Sequence, residues 1–529
     1  MIPKWHRLLL AQALWIAAAG LHAQEANSAF AQFDIVRFSV EGNTLLTASS
    51  IDALTAPYTG KARDIRDVAG AQKALQDAYR KLGYSVVWVM LPEQELQQGV
   101  VHIQVTELRL GSVTVEGNQV FTQDNIRNSL PALRTGETPN LLAVSRSLKV
   151  ANENPAKKIT LQLQEGDQNG EIKALVKTAD EKDWRVNVSL DNTGDINTGR
   201  NRLNVQLQHA NLGGLDHVGS LQYTTSLDNP SKVSVYGFGY HIPLYSLGDS
   251  LDFYGNTSNV DSGTVSAGIL DLQVSGKGST VGARYNHNFD RSGDYESKLT
   301  AGIDYKTVTN NVSLQGIPLG NDITVRPFSL TYSANFPVSA GNTDFYVSGV
   351  RNLPGGDKGS SADFERARTG ASATYTVLRY GASYSRALPS DWQMRAAFNG
   401  QSTNDALVSS EQFGAGGAAS VRGFNERDIS NDSGSMANLE LYTPNWCSTL
   451  MNASAECRLL AFYDSAYVSR NNALPGEQTQ ASIGSVGLGL RMRIDRYFAL
   501  QMDWGSVIDA SDTQAKGEQR IHFKITASY

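Results

Sequence analysis

The stretch Val486-Gly487-Leu488-Gly489-Leu490-Arg491-Met492-Arg493-Ile494-Asp495 alternates without a break, with every apolar side chain followed by one that is small, polar or charged. Phe498, Leu500, Met502 and Trp504 do the same against Ala499, Gln501 and Asp503, and the chain ends on Ile521, Phe523, Ile525, Ala527 and Tyr529. A period of two places successive side chains on opposite faces of a strand. These segments therefore read as strands with one apolar and one polar face.

The pattern extends back through Leu203, Val205 and Leu207 to Trp184, with almost no helical signal on the way. A soluble β-sandwich also alternates, but a region this long would need several sandwiches in series to bury its apolar faces. Tilted spanning strands of about 10 residues with their connections fit about sixteen times into it. An even number closed into a barrel pairs every backbone group and leaves no edge, which lipid demands. Strand starts are expected near Trp184, Arg200, His217, Ser231 and onward to Leu459, Ser482, Tyr497 and Gln519.

Composition agrees with a barrel and excludes other classes. In 529 residues, 46 Lys+Arg against 52 Asp+Glu give a net charge of −6, so no basic footprint for nucleic acid is present. A hydrophobic fraction of 41% with 48 Gly and 21 Tyr is too polar for a helical membrane protein and too apolar for a disordered one. Beyond the N-terminus no run reaches the roughly 18 apolar residues of a spanning helix.

The N-terminus reads as a signal peptide over 1–23: Lys4, His6 and Arg7, then an apolar run from Leu8, then Leu21-His22-Ala23 before Gln24. A short leader, 24–33, comes next. In an exported chain Cys447 and Cys457 suggest a disulfide closing a short loop, with two inert thiols as the alternative. No zinc site can be completed from that pair.

Between leader and barrel lies a repeat. Val40-Glu41-Gly42-Asn43 with Thr47 and Ile51 is matched by Val115-Glu116-Gly117-Asn118 with Thr122 and Ile126. Each copy begins as a strand, turns at Gly-Asn and enters helix. In the first copy a second helix is expected over Val68–Leu82, with Ala71, Leu75, Ala78, Tyr79 and Leu82 on one face and Gly83 as its stop. Strands come after it at Ser85–Met90 and Val100–Glu107. The second copy has a helix over Leu142–Ala151 and strands near Ile159–Leu163 and Glu171–Lys177. The order is β-α-α-β-β twice, giving α+β modules at 34–107 and 108–180 and a barrel at 181–529.

One inter-strand connection differs from the rest. Residues 411–432 include Gly414-Ala415-Gly416-Gly417 and Val421-Arg422-Gly423-Phe424, a composition that folds as a compact finger. Arg422 needs a carboxylate if it leaves bulk water, and Asp464, in Phe462-Tyr463-Asp464-Ser465-Ala466, is costly inside a spanning strand unless it faces the lumen and is paired. A solvated loop arginine and a strand-end aspartate are the plainer alternative.

Taken together, the signal segment, the two V-E-G-N repeats, the strand region, the Val421-Arg422-Gly423-Phe424 loop before the last five strands, the Phe462-x-Asp464 strand and the terminal aromatic resemble the two-partner secretion transporters (TpsB family, haemolysin secretion/activation protein type). The resemblance covers essentially all of the mature chain and makes the repeats look like POTRA modules. Leu91-Pro92-Glu93-Gln94 and Ser145-Arg146-Ser147-Leu148 are further family-like segments. It implies that 421–424 tucks into the lumen, that Arg422 pairs with Asp464, and that Tyr529 belongs to an outer-membrane sorting signal read by the barrel-assembly machinery. Two departures stand out: Ala466 replaces the glycine that closes the family's F-x-D-x-G motif, and the 24–33 leader is too short for the family's plug helix.

By resemblance the chain is a transporter in the bacterial outer membrane, with its POTRA modules in the periplasm, exporting a large secreted partner of haemolysin, adhesin or toxin type. The second reading is a barrel-assembly factor, whose kind usually carries three or more repeats; a passive porin has no use for periplasmic modules. No cofactor or metal is expected. An enzyme is the least supported reading: no H-E-x-x-H, nucleophile elbow or G-x-x-x-x-G-K loop occurs.

Overall fold

The structure, a computed structural model, describes residues 31–259, 263–267, 270–274, 277–309, 313–314, 317–318, 321–447 and 455–529. The signal peptide and most of the leader lie outside the described residues. Two compact units divide the chain: one within Met1–Tyr79 and Val87–Glu107, the other Arg80–Val86 with Leu108–Tyr529.

The first unit has a three-stranded sheet in which Val100–Glu107 is central, parallel to Arg37–Glu41 and antiparallel to Val87–Met90. Helices Ala48–Thr55 and Ile65–Lys81 precede the last two strands. Val68, Ala71, Leu75 and Tyr79 form the buried stripe of the longer helix. Leu82, expected on that face, is exposed, because the helix ends at Lys81 and Gly83 turns the chain away with φ +97. A small pairing of Phe33–Ile35 with Gly60–Arg63 is additional to the sequence reading.

The second unit begins with the same arrangement: Glu171–Asp180 is central, parallel to Arg109–Glu116 and antiparallel to Lys157–Glu165, with helices Gln123–Asn128 and Leu141–Ala151. The repeated residues do the same work in both copies. Gly42 and Gly117 sit at φ +80 and +81, and a Cβ on either would lie 2.2 or 2.4 Å from the carbonyl oxygen of Val105 or Thr178. Asn43 and Asn118 donate to the carbonyls of Leu46 and Phe121, each at 2.8 Å. Thr47 and Thr122 are N-caps, accepting from the backbone of Ser50 and Asn125. A carboxylate at or beyond the end of the central strand, Glu107 or Asp180, gathers the backbone N–H groups of the turn.

Sixteen antiparallel strands then close a barrel, from Trp184–Asp191 to Gln519–Ser528. The eighth is interrupted at Arg326, where Ile323–Val325 and Pro327–Val338 both pair with Glu296–Thr309. The barrel's apolar side chains point outward: Leu207, Leu221, Val281, Leu439, Leu488 and Ile521 are all exposed, as a lipid-facing band requires. Gln222, His241, Asp252 and Asp464 on the other face are buried. The strand expected near Leu459 begins four residues earlier, at Ala455. There the Cys447–Cys457 disulfide closes the connection across a Cα separation of 5.1 Å.

Successive strands alternate in direction, so the connections fall into two sets. Those at the end near the second module are short, such as 213–216, 245–248 and 339–340. Those at the far end include 353–375 and 403–432. The second module docks on the short turns. Lys157 Nζ lies 2.5 Å from Asp216 Oδ2 with both side chains buried. Burial pushes the Lys157 ammonium below the usual lysine range, against the pull of Asp216. Asn154 donates to the Ala210 carbonyl at 2.7 Å, Ser147 to that of Tyr245 at 2.8 Å, and Arg146 forks onto Asp290.

Candidate functional site in the barrel lumen

The long 403–432 connection folds back into the barrel. Phe413–Ala415 pairs with Ile429–Asn431 as a hairpin stem. The tip turns on itself through Gly417 N–H to Val421 O at 3.0 Å, and Glu426 accepts from Ala418 N–H at 2.8 Å. Ala415, Val421, Phe424 and Ile429 are buried against Ala466, Val468, Ile483 and Val507 of the wall. Ala466 is therefore part of the surface that receives the loop, and its methyl group fills space that glycine would leave empty.

Arg422 is 4% exposed and meets the wall through all of its donors. Its backbone N–H and Nε donate to Asp464 Oδ2 at 3.1 and 2.7 Å, and Nη2 donates to Oδ1 at 2.7 Å. Nη1 donates to Glu440 Oε1 at 2.8 Å and lies 3.5 Å from Asp503. The guanidinium carbon sits 3.6 Å from the centre of the Phe462 ring. Asn438, directly across from Asp464 in the strand register, donates to both Asp464 Oδ1 and Ser420 O.

Three carboxylates around one buried cation would carry excess negative charge, and the wall offsets it. Arg395 reaches Glu440 at 3.1 Å and Arg491 reaches Asp503 at 2.9 Å. The result is a row of alternating charges across the inner face, each with a partner, which is how ions are tolerated away from bulk water. At the root of the loop Glu411 is held by Lys306 and Arg379 at 2.9 and 3.1 Å. Asp432 binds Arg368 and accepts from Leu407 and Asn471 N–H groups. Beside this root the helix Ser361–Ala367 buries Phe364 among Val325, Val350, Tyr375, Val377 and Leu407.

The structure thus brings Val421, Arg422, Gly423 and Phe424 to Asp464, and places Cys447 with Cys457 and Tyr529 elsewhere. Tyr529 exchanges backbone hydrogen bonds with Val186 of the first strand and packs its ring against Trp184. Glu440, Asp503, Asn438 and His522 were not singled out from sequence. Their signal was the period-two alternation, which puts each of them on the polar face. Among the described residues no group of His, Cys, Asp and Glu is placed to hold a metal ion, and no helix is long and apolar enough to cross a membrane.

A closed sixteen-stranded barrel bearing POTRA-type modules and an inward-folded Val-Arg-Gly-Phe loop defines a class of outer-membrane transporter. The chain belongs to the haemolysin secretion/activation protein ShlB/FhaC/HecB family, whose model matches residues 170–492, and a ShlB-type POTRA domain matches 33–107. It is 23% identical over 469 residues to the heme/hemopexin transporter protein HuxB of Haemophilus influenzae, covering 87% of this chain and 81% of that one. To the outer membrane transporter CdiB of Escherichia coli it is 27% identical over 426 residues, 77% of this chain and 68% of CdiB. In fold it is similar to the solved structure of CdiB from Escherichia coli, with a TM-score of 0.75 at 22% identity over 96% of this chain and 92% of that one. The protein is an outer-membrane, two-partner secretion transporter with its POTRA domains in the periplasm. Its far-end loops therefore face the cell exterior.

Proposed function

We propose that the protein captures one large, β-rich secreted protein in extended form at its periplasmic modules and passes it through the barrel past the 411–432 loop. The observation that carries this reading is the loop itself: a buried Arg422 held by Asp464, Glu440 and Asp503 fills the path, with Val421 and Phe424 packed on the wall beside it. Those polar contacts are exchangeable for hydrogen bonds to a passing polar chain.

Capture is supported by the edges of the first module. The Val87–Met90 edge is occupied by its own helix: Gln72 donates to Val89 O, and Gln76 donates to Val87 O while accepting from Val89 N–H. The Arg37–Glu41 edge carries no such cover among the described residues, so strand addition has one place to occur. Main-chain pairing asks little of the partner's sequence. At the barrel end, a cavity of about 520 Å³ lined by Lys149, Glu153, Glu296, Lys298, Asp344 and Arg395 offers a wet, charged entry beneath the second module. Folding of the exported chain outside the cell supplies the direction of movement, since no nucleotide site is present in the sequence.

The test is a comparison of cells carrying the intact protein with cells carrying a form that lacks 33–107. Loss of a single large exported protein from the surface and medium supports transport. Loss of several unrelated barrels from the outer membrane supports an assembly factor instead, the reading that the family match favours less.

A further inference from the structure

We infer that His522 is a positioning residue for the lumen loop, acting as an uncharged hydrogen-bond acceptor that latches the loop tip to the last strand of the barrel. Gly423 N–H donates to His522 Nε2 at 3.0 Å, and the imidazole is 2% exposed. That geometry assigns the ring proton to Nδ1, which has no partner in the structure, so Nε2 is the nitrogen that holds the ring to the loop. A protonated or otherwise cationic side chain at 522 has no lone pair to offer and would face the Arg422 guanidinium.

The latch is distinct from the Arg422 ion pair in place and in chemistry. Asp464 and Glu440 lie on Ala455–Ser469 and Ser433–Tyr442. His522 lies on Gln519–Ser528, where Asp503 of the neighbouring strand stands directly across from it. The neighbouring strand also provides the seat. Gly505 and Gly423 meet backbone to backbone, and a Cβ on Gly505 would lie 2.8 Å from Gly423 N. Gly423 itself has φ +95, a conformation open to glycine and strained for other residues. The tip of the loop is thus clamped on two sides, by charge on one and by a neutral acceptor on the other.

Gln519–Ser528 is also the strand that closes the barrel. Its ladder with the first strand runs from Lys524–Asp191 to Ser528–Asn187, followed by the Tyr529–Val186 backbone pair, whereas its other neighbour, Phe498–Asp509, pairs along Phe498–Ser506. The latch therefore joins the lumen loop to the sheet's shortest lateral pairing among the complete strands, and any displacement of the loop tip must be accommodated by the strand at the seam. The inference rests on reading 411–432 as the segment that obstructs the path.

Single-channel recording of the purified full chain in planar lipid bilayers, in potassium chloride, tests it without knowledge of the secreted partner. His522→Ala and His522→Lys are expected to raise the time-averaged conductance about fivefold, the effect of one lost hydrogen bond on a two-state equilibrium. His522→Gln, whose Oε1 restores an acceptor, is expected to stay near the unmodified protein. Folding of each variant is read from the heat-dependent mobility of the barrel on gels; if His522→Ala does not fold, the comparison of His522→Gln with His522→Lys decides. Conductance unchanged in His522→Ala and His522→Lys overturns the inference, and so does a His522→Gln channel as leaky as the other two. Export is measured in parallel: raised conductance with unaltered export leaves the latch standing and refutes the proposed transport path.

Discussion

Lys157 of the second POTRA module and Asp216 of a periplasmic turn form an ion pair from which solvent is excluded, and Tyr245 donates a second hydrogen bond to the same carboxylate oxygen at 2.6 Å. Asn125 accepts from the same ammonium at 3.0 Å. The module is therefore part of the barrel's base.

Removing one member of that pair should loosen the base. Lys157→Ala leaves Asp216 buried without its cation, a change that costs about 3–5 kcal/mol when the partner cannot be rehydrated. Limited proteolysis should cut within 108–180 of the variant while the barrel stays protected. Lys157→Met with Asp216→Asn, which removes both charges, should recover much of the resistance.

Acid should weaken the docking from a second direction. The Arg146 guanidinium beside Asp290 holds that carboxyl below its usual range. The folded value lies under the unfolded one, so the stabilisation is complete above about pH 4 and is lost as pH falls through the folded value. Hydrogen exchange in the helix Leu141–Ala151 should accelerate on acidification, and Asp290→Asn should remove the part of the pH dependence that this pair supplies.

For the lumen site, Arg422→Ala strands Asp464 among Asn438 and the loop, and Asp464→Ala strands Arg422 beside Glu440. Each should lower the thermal unfolding temperature of the folded barrel. The double variant should be less destabilised than the sum of the two, with a coupling of about 1–3 kcal/mol, because the penalty for an unpaired buried charge is then counted once. Export of the secreted partner should fall in Arg422→Ala while the protein still reaches the membrane.

Deletion of Tyr529 removes two backbone hydrogen bonds to Val186, the ring contact with Trp184 and the approach of Lys182 to its face. We expect less folded barrel in the outer membrane, measured by the heat-dependent gel shift. Tyr529→Phe is the control for both causes: it keeps the closing hydrogen bonds and an aromatic terminus, so a normal level is expected, and a level as low as the deletion would refute both.

Thiol alkylation checks the periplasmic connection. Cys447 and Cys457 should resist labelling in the native protein and take up two labels after reduction. Labelling without reductant would exclude the disulfide.

Much of the architecture was legible because it rests on period. Alternation along Val486–Ile494 or Phe498–Trp504 says that a residue lies on a strand and on which face, since lipid and lumen impose opposite chemistry on successive positions. The POTRA repeat was legible because Gly42 and Gly117 must turn in a conformation other residues avoid, and Asn and Thr must close the turn and cap the helix behind it. The helix end at Lys81 and the exposure of Leu82 were misread, since a face drawn from spacing does not know where Gly83 ends it.

Residue pattern alone pointed to strands closing a barrel with two α+β modules before it, and to Arg422 needing a carboxylate only if it left bulk water; that it does leave bulk water was decided by the fold. Which groups share that cation was settled by folding in three dimensions. Asp464, Glu440 and Asp503 come from three of the last five strands, and strand register together with the inward fold of the 411–432 loop places them, with His522 of the last strand, around one loop tip. The same holds for Lys157 and Asp216, and for Gln76 covering the edge at Val89. Period fixes the face a side chain occupies, but its neighbours across the sheet and the loop that enters the lumen depend on strand register and on closure, which are properties of the folded chain.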